Sequence, residues 1–162
     1  MNTQNQTLIQ DLINTVNEES DCLSDLIDAL REQRGVMRER NLESVKDLMT
    51  EISDIFFEAQ TIENIRSDLA KKLAAKFSCE PKSSSLENFM TEIEKADFNG
   101  AVDRLSQLVF ILKSEMLILT GMIDQNERFT SMLLSEIQRL SYSGDSAINP
   151  RTGLDNSLEF RG

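Results

Sequence analysis

The side chains that most often carry catalysis or bind metals are scarce in this sequence. It contains no histidine, and its two cysteines, Cys22 and Cys79, have no second cysteine or histidine at metal-ligand spacing. Histidine is the commonest general base and metal ligand, and acid–base sites built only from carboxylates need two of them in one cleft. The acidic residues here fall mostly off the apolar positions. We therefore predict no catalytic residue, no metal and no cofactor, and we interpret both cysteines as free thiols.

What the sequence does contain is three long stretches with apolar residues at a mean spacing near 3.5. These apolar stripes, called seams below, run from Ile9 to Met37, from Val45 to Leu73 and from Phe98 to Leu140. Such a spacing keeps one stripe facing a partner helix along a left-handed supercoil. We predict an all-α fold, an elongated antiparallel bundle of three long, coiled-coil-like helices plus one short helix.

Helix-start and helix-stop signals divide the chain. We expect helix one over about residues 7–40, with a kink or an early end at Gly35. Asn41 is a good N-cap for helix two, over about residues 42–77. The apolar residues Met49, Phe56 and Phe57 lie beside its seam, so we expect helix two to contact more than one neighbour.

The second half of the chain is predicted to hold the short helix and the last long helix. Ser84 and Glu87 fit a capping box, which places the short helix over about residues 85–96. Residues 97–100 are expected to form a break or a tight corner between the short helix and a last helix over about residues 100–142. Turn signals follow, so we predict one helical-bundle domain over residues 1–142 and a flexible C-terminal tail over residues 143–162.

The net charge of −11 limits the choice of partners. A surface this acidic repels nucleic-acid phosphates and anionic membranes. The first seven residues are polar and uncharged, unlike a signal peptide, and Lys113, Ser114 and Glu115 interrupt the most apolar stretch. We expect a cytoplasmic protein that binds neither nucleic acid nor a membrane.

Three polar residues lie on the seams: Arg34, Arg66 and Asn126. A polar residue at a core position often specifies register or partner number. For Arg34, near a turn, a solvated side chain is the simpler interpretation. For Arg66 and Asn126 both interpretations stay open. A buried Arg66 requires a partner, a water molecule or a binding role, since an unpaired buried charge costs several kcal/mol. In an antiparallel arrangement Arg66 and Asn126 could come close, or Arg66 could meet a carboxylate of the last helix.

The C-terminal half of the last seam is apolar on more than one side. Phe129 and Leu133 lie on the seam, while Met122, Met132 and Leu134 lie beside it. One partner helix cannot cover all of these side chains. Either a second helix of the same chain or another protein must do so.

With these features the chain resembles the FlgN family of flagellar export chaperones. The resemblance lies in the order of its parts: a long amphipathic helix, the turn Glu39-Arg40-Asn41-Leu42-Glu43, a second helix with Ile65-Arg66-Ser67-Asp68-Leu69, and a variable loop after Phe77. In the final helix, an Asn-x-x-x-Leu-Leu-type run is followed by a tyrosine and a glycine. The resemblance covers about the first 145 residues, and the final run comprises Asn126, Phe129, Leu133, Leu134, Ile137, Leu140, Tyr142 and Gly144.

The resemblance implies a cytoplasmic, non-catalytic chaperone of the flagellar type III export system. Such chaperones bind the C-terminal amphipathic helices of hook-associated proteins and deliver them to the export apparatus, a component of which is a further candidate partner. The family binds its substrates toward its C-terminus. On this chain the implied partner-binding residues are Asn126, Phe129, Met132, Leu133, Ile137, Leu140 and Tyr142.

The alternative is a structural or assembly coiled-coil protein. In that case the exposed apolar stripe pairs with itself in a homodimer. The residues of the sequence alone do not separate this alternative from the chaperone.

Overall fold

The computed structural model describes residues 2–124, and these residues form an all-α fold, as predicted. The helices are α1 (Thr3–Glu39), α2 (Leu42–Phe77), α3 (Ser83–Leu86) and α4 (Glu92–Asp124), and a single 3-10 turn, Glu87–Phe89, follows α3. Three of the helices are long, and α3 is one turn. The predicted continuation of the last helix to residue 142 lies outside the described residues.

The boundary between the first two helices is close to the predicted one. α1 continues through Gly35 without ending there, and it stops where Arg40 adopts a left-handed conformation (φ 55°). The side chain of Asn41 accepts a hydrogen bond from the Ser44 N–H at 3.3 Å, which caps α2. An N-cap of this kind satisfies one of the free N–H groups of the first turn.

The boundaries predicted around residues 85–100 are wrong. The expected short helix is split, and α4 starts at Glu92, so the expected break at residues 97–100 lies inside a helix. The reason is a capping box at a different place: Thr91 Oγ1 accepts from the Glu94 N–H (3.2 Å), and the Thr91 N–H donates to Glu94 Oε2 (2.9 Å). Reciprocal bonds of this type define a helix start, and Gly100 is tolerated because Phe98, Ala101 and Val102 around it are buried.

α1 is the central helix of the bundle. It packs against α2 on one side and against α4 on the other. Its buried face is correspondingly wide, and Leu12, Leu23 and Leu26 are fully enclosed. As expected, helix two contacts more than one neighbour, since α2 packs against α1 and also contacts α3, but Phe57 beside its seam is 73% exposed. Fully burying a leucine stabilises the fold by roughly 1.5–3 kcal/mol, so most of the packing energy lies along α1.

Polar contacts define the directions of the helices. Glu19 contacts Arg66, and the Cys22 thiol donates to the Ile55 carbonyl at 3.5 Å; later residues of α1 thus meet earlier residues of α2, which makes the pair antiparallel. Asp21 pairs with Arg104 on α4, and further along α1, Arg31 pairs with Glu115. α4 therefore runs parallel to α1, and the bundle has an up-down-up order.

A cluster of three charged side chains lies in the interface between α1 and α2. Arg66 Nε lies 2.5 Å from Glu19 Oε2, and Arg66 Nη2 lies 3.7 Å from Glu63 Oε1. All three residues are buried. Burial raises the pKa of Glu19, and the charge of Arg66 opposes that rise. The predicted need for a partner to Arg66 is confirmed, although the partner comes from the first helix.

Replacing Arg66 should be far more damaging than replacing an exposed arginine. We expect Arg66→Met to lower the free energy of unfolding by about 3–5 kcal/mol, because it leaves buried carboxylates without their cation. Arg104→Met removes an exposed ion pair with Asp21 and should cost less than about 1 kcal/mol. Glu19→Gln should fall between the two, since Arg66 keeps Glu63. Urea unfolding of the three variants measures these differences, and equal losses for Arg66→Met and Arg104→Met would contradict the assignment.

Candidate partner-binding surface

The seven residues predicted to bind a partner lie outside the described residues. Their surroundings are nevertheless constrained by the part of the molecule that leads up to them. The relevant features are the level at which α1 and α2 end, the sides of α4 that are covered, and the distribution of charge. The seven are Asn126, Phe129, Met132, Leu133, Ile137, Leu140 and Tyr142.

The ion pairs between α1 and α4 give the register of these parallel helices. Asp21 pairs with Arg104, and Arg31 pairs with Glu115. Both pairs join residues about 84 positions apart in the chain. The same offset carried to the end of α1 places Asp124 level with Arg40, in the turn between α1 and α2. α1 therefore ends, and α2 begins, at the level where the described part of α4 ends.

The inner face of α4 packs against α1 through residues of the predicted seam. Phe98, Val102, Leu105, Leu112 and Leu119 are all buried. Over the described residues, the third seam therefore forms a core interface, as predicted.

A polar contact at Glu115 interrupts this apolar interface. Glu115 is buried, and its carboxylate contacts Arg31 Nε at 3.0 Å and Arg34 Nη2 at 2.8 Å. The solvated interpretation of Arg34 is therefore wrong: its guanidinium neutralises a buried carboxylate of another helix. The sequence signal was present, since Glu115 is an acid within an apolar run, but its partners could not be identified without the register.

The opposite side of α4 is not covered by any other element of residues 2–124. We call it the outer face of α4, defined by Gln107, Phe110, Ser114, Leu117 and Gly121, whose spacing alternates between three and four residues. Phe110 is 73% exposed and Leu117 is 75% exposed. Phe110 also borders a shallow depression formed with Asp103, Ser106 and Ile111. Sequence analysis missed this second stripe because the stronger inner seam occupies the same helix.

Charge is distributed unevenly over the molecule. The groove between α1 and α2 is lined by carboxylates and contains no basic side chain, whereas residues 105–123 of α4 contain only Lys113 and Glu115 as charged residues. Glu115 faces arginines of α1, and the five residues that define the outer face of α4 carry no charge. The acidic residues of the groove are Asp25, Asp28, Glu32, Asp47, Glu51, Asp54 and Glu58.

α4 also meets the length and composition criteria for a membrane-spanning helix. The stretch is Glu92–Met122, with a mean hydropathy of 1.4 over its most apolar window. Only 28% of that window is buried inside the molecule. We regard this as weak evidence for a membrane helix, because the stretch includes the buried Glu115 with its two arginine partners. What it does indicate is a large apolar surface that the rest of the described chain leaves open.

Within residues 2–124 no group of three potential metal-ligating side chains comes together. Both cysteines in this range are free. Burial, followed by the charges of Glu58, Asp25 and Glu19, raises the pKa of the Cys22 thiol to about 12. Thiolate is the reactive form of cysteine, so this environment makes Cys22 unreactive at neutral pH.

The two cysteines should therefore differ in their reaction with a soluble thiol reagent. Cys79 is partly exposed. Burial and the charge of Glu80 raise the pKa of its thiol, so we expect it to react slowly at pH 8 but faster than Cys22. Cys22 is buried and protonated, so in a Cys79→Ser variant the remaining thiol should react only as fast as the chain opens. A Cys22→Ser variant is the matched control. Similar reaction rates for the two single-cysteine variants would contradict the described packing of Cys22.

Comparison with known proteins agrees with the features of the bundle. The chain matches the FlgN protein family over residues 1–146. No curated protein and no solved structure matches it. The match includes all described helices and extends past Tyr142, so it covers the three long seams together with the predicted partner-binding residues. The chain belongs to the FlgN family.

Proposed function

We propose that this protein is a cytoplasmic flagellar export chaperone that binds the C-terminal amphipathic helix of a hook-associated protein. Membership of the FlgN family supports the general role of a flagellar export chaperone. The residues proposed to contact the client are Asn126, Phe129, Met132, Leu133, Ile137, Leu140 and Tyr142. Binding shields apolar surface on both partners, and no cofactor is needed for it.

The register of α4 is the observation that carries this proposal. α1 and α2 end at the level of Asp124, and within residues 2–124 no element lies beyond that level. The third seam nevertheless continues in the sequence through Phe129, Leu133, Ile137 and Leu140. An apolar seam without a neighbouring helix from the described bundle favours a helix from another protein. Helix-in-groove recognition of this type uses anchors spaced by three, four and seven residues.

The charge of the protein supports a client of a particular type. A net charge of −11 attracts a helix whose apolar stripe is flanked by lysine and arginine. Such attraction speeds the encounter of the partners and is weakened by salt. The affinity itself is expected to come mainly from the apolar anchors, because exposed ion pairs contribute little.

The part of the chain after the seam has a separate role in this proposal. We propose that residues 143–162 form a flexible tail that is not needed for folding of the bundle. A component of the export apparatus is the second proposed partner, since a delivered client must be handed over at the export gate. In this proposal the bundle domain, residues 1–142, binds the client.

Changing Leu133 and Ile137 together to aspartate should abolish client binding. Two charges on the seam remove its apolar anchors, while the described bundle, which ends at the level of Asp124, should be unaffected. We expect unchanged helicity by circular dichroism and no binding of a client C-terminal helix peptide by calorimetry.

A matched control is Phe110→Asp, which places a charge on the exposed outer face of α4 and should leave client binding intact. If the Leu133→Asp/Ile137→Asp variant unfolds, these residues belong to the core of the protein. If it binds as the unmodified chain does, the client site lies elsewhere.

Deleting residues 145–162 should leave the bundle folded. Within residues 2–124 the core already encloses Leu12, Leu23 and Leu26 completely, and we expect the thermal midpoint to change little. Scanning calorimetry of the truncated and full-length chains measures this. A large drop in the midpoint would show that the tail packs against the bundle.

A further inference from the structure

A second docking surface lies on the described part of α4, away from the proposed client site. Phe110 and Leu117 expose about three quarters of their surfaces and lie seven residues apart on the outer face of α4. Ser114 and Gly121 lie next to them in the alternating three-and-four spacing. Large and small residues therefore alternate along a stripe that has the spacing of a coiled-coil seam.

We propose that the outer face of α4 binds the same face of a second copy of this chain, with the two α4 helices antiparallel. In the register that pairs Phe110 of one copy with Gly121 of the other, Ser114 meets Leu117. Every large side chain then faces a small one, on both sides of a two-fold axis. A two-fold interface needs this kind of self-complementarity.

The small residues of the stripe fit such a contact. A Cβ added at Gly121 would meet no atom within 4 Å, so packing within the chain does not require glycine there. Glycine in a helix interior lowers helix stability relative to alanine, but it allows a close approach of another helix. The Ser114 hydroxyl donates to the Phe110 carbonyl at 3.1 Å, so a leucine can cover it without leaving a polar group unsatisfied.

The distribution of charge makes the outer face of α4 the most favourable place for two copies of this acidic chain to meet. Two molecules that each carry a net charge of −11 repel one another, and the repulsion is smallest where no carboxylate is exposed. The five residues that define the outer face of α4 carry no charge, and Asp103 is the carboxylate beside Phe110.

The position of the face is compatible with two intact bundles. α1 covers the inner face of α4, and the outer face is on the opposite side of the helix. Two bundles can therefore meet through α4 without displacing α1 or α2. This inference does not depend on the proposed client site, which involves different residues.

Sedimentation velocity of the full chain over a range of concentrations tests the proposal. We expect the mass to rise with concentration from 18.4 kDa to twice that value. Gly121→Leu should abolish the rise, because the new side chain occupies the space for Phe110 of the other copy. Gly35→Leu is the matched control: it is a glycine of α1, on a different helix, at which a Cβ also meets nothing, and it should dimerise normally.

The orientation of the helices has its own readout. Spin labels at Gly100→Cys in a Cys79→Ser background should lie about 45 Å apart in the antiparallel dimer at 1.5 Å of rise per residue. In a parallel pair of helices, 8–10 Å apart, the labels would be within roughly 20 Å of each other.

Four results would overturn the proposal. The first is a chain that stays monomeric at every concentration. The second is a Gly121→Leu variant that dimerises as the unmodified chain does. The third is a dimer that is lost in Leu133→Asp/Ile137→Asp and kept in Phe110→Asp, which would assign self-association to the later seam. The fourth is a dimer that forms only after residues 145–162 are deleted, which would assign the outer face to the tail of the same chain.

Discussion

The position of α1 between two other helices is the constraint on which the rest of the structure depends. Among residues 2–124, α1 is covered on two sides, by α2 and by α4. Two buried carboxylates hold this order through their arginine partners: Glu19 with Arg66 towards α2, and Glu115 with Arg31 and Arg34 towards α4. Buried charges tolerate few alternative partners, since an unpaired one costs several kcal/mol. The two contacts therefore specify the register of the three long helices, that is, which of their residues lie side by side.

This arrangement leaves α4 with apolar surface that its own bundle does not cover. Along residues 107–121 the uncovered side is the outer face. Beyond Asp124 the neighbouring helices have ended, and the third seam continues in the sequence. We propose different partners for the two surfaces: a second copy of the chain for the outer face, and a foreign amphipathic helix for the later seam, whose apolar residues have a suitable spacing in the sequence. The chain belongs to the FlgN family, and we propose that both surfaces bind partners.

Periodicity and caps predicted much of the fold from the sequence. The bounds of α2 and the N-cap at Asn41 followed from local signals, and the buried inner seam of α4 followed from its spacing. The start of α4 was predicted wrongly because residues 97–100 have a turn-like composition, whereas the Thr91–Glu94 capping box starts the helix earlier. The partners of Arg34 and Arg66 could not be predicted, because they depend on the relative rotation and level of separate helices. The outer face was missed because its apolar spacing is weaker than that of the inner seam on the same helix.

Hydrogen–deuterium exchange with and without a client helix tests the central claim most directly. The claim is that α4 and the seam that follows it offer an apolar surface which a partner helix covers. With the C-terminal helix peptide of a hook-associated protein added, amide exchange should slow within residues 125–142, and α1 should be unchanged because it is already enclosed. Slower exchange confined to the acidic groove between α1 and α2, with no change after Asp124, would contradict the account.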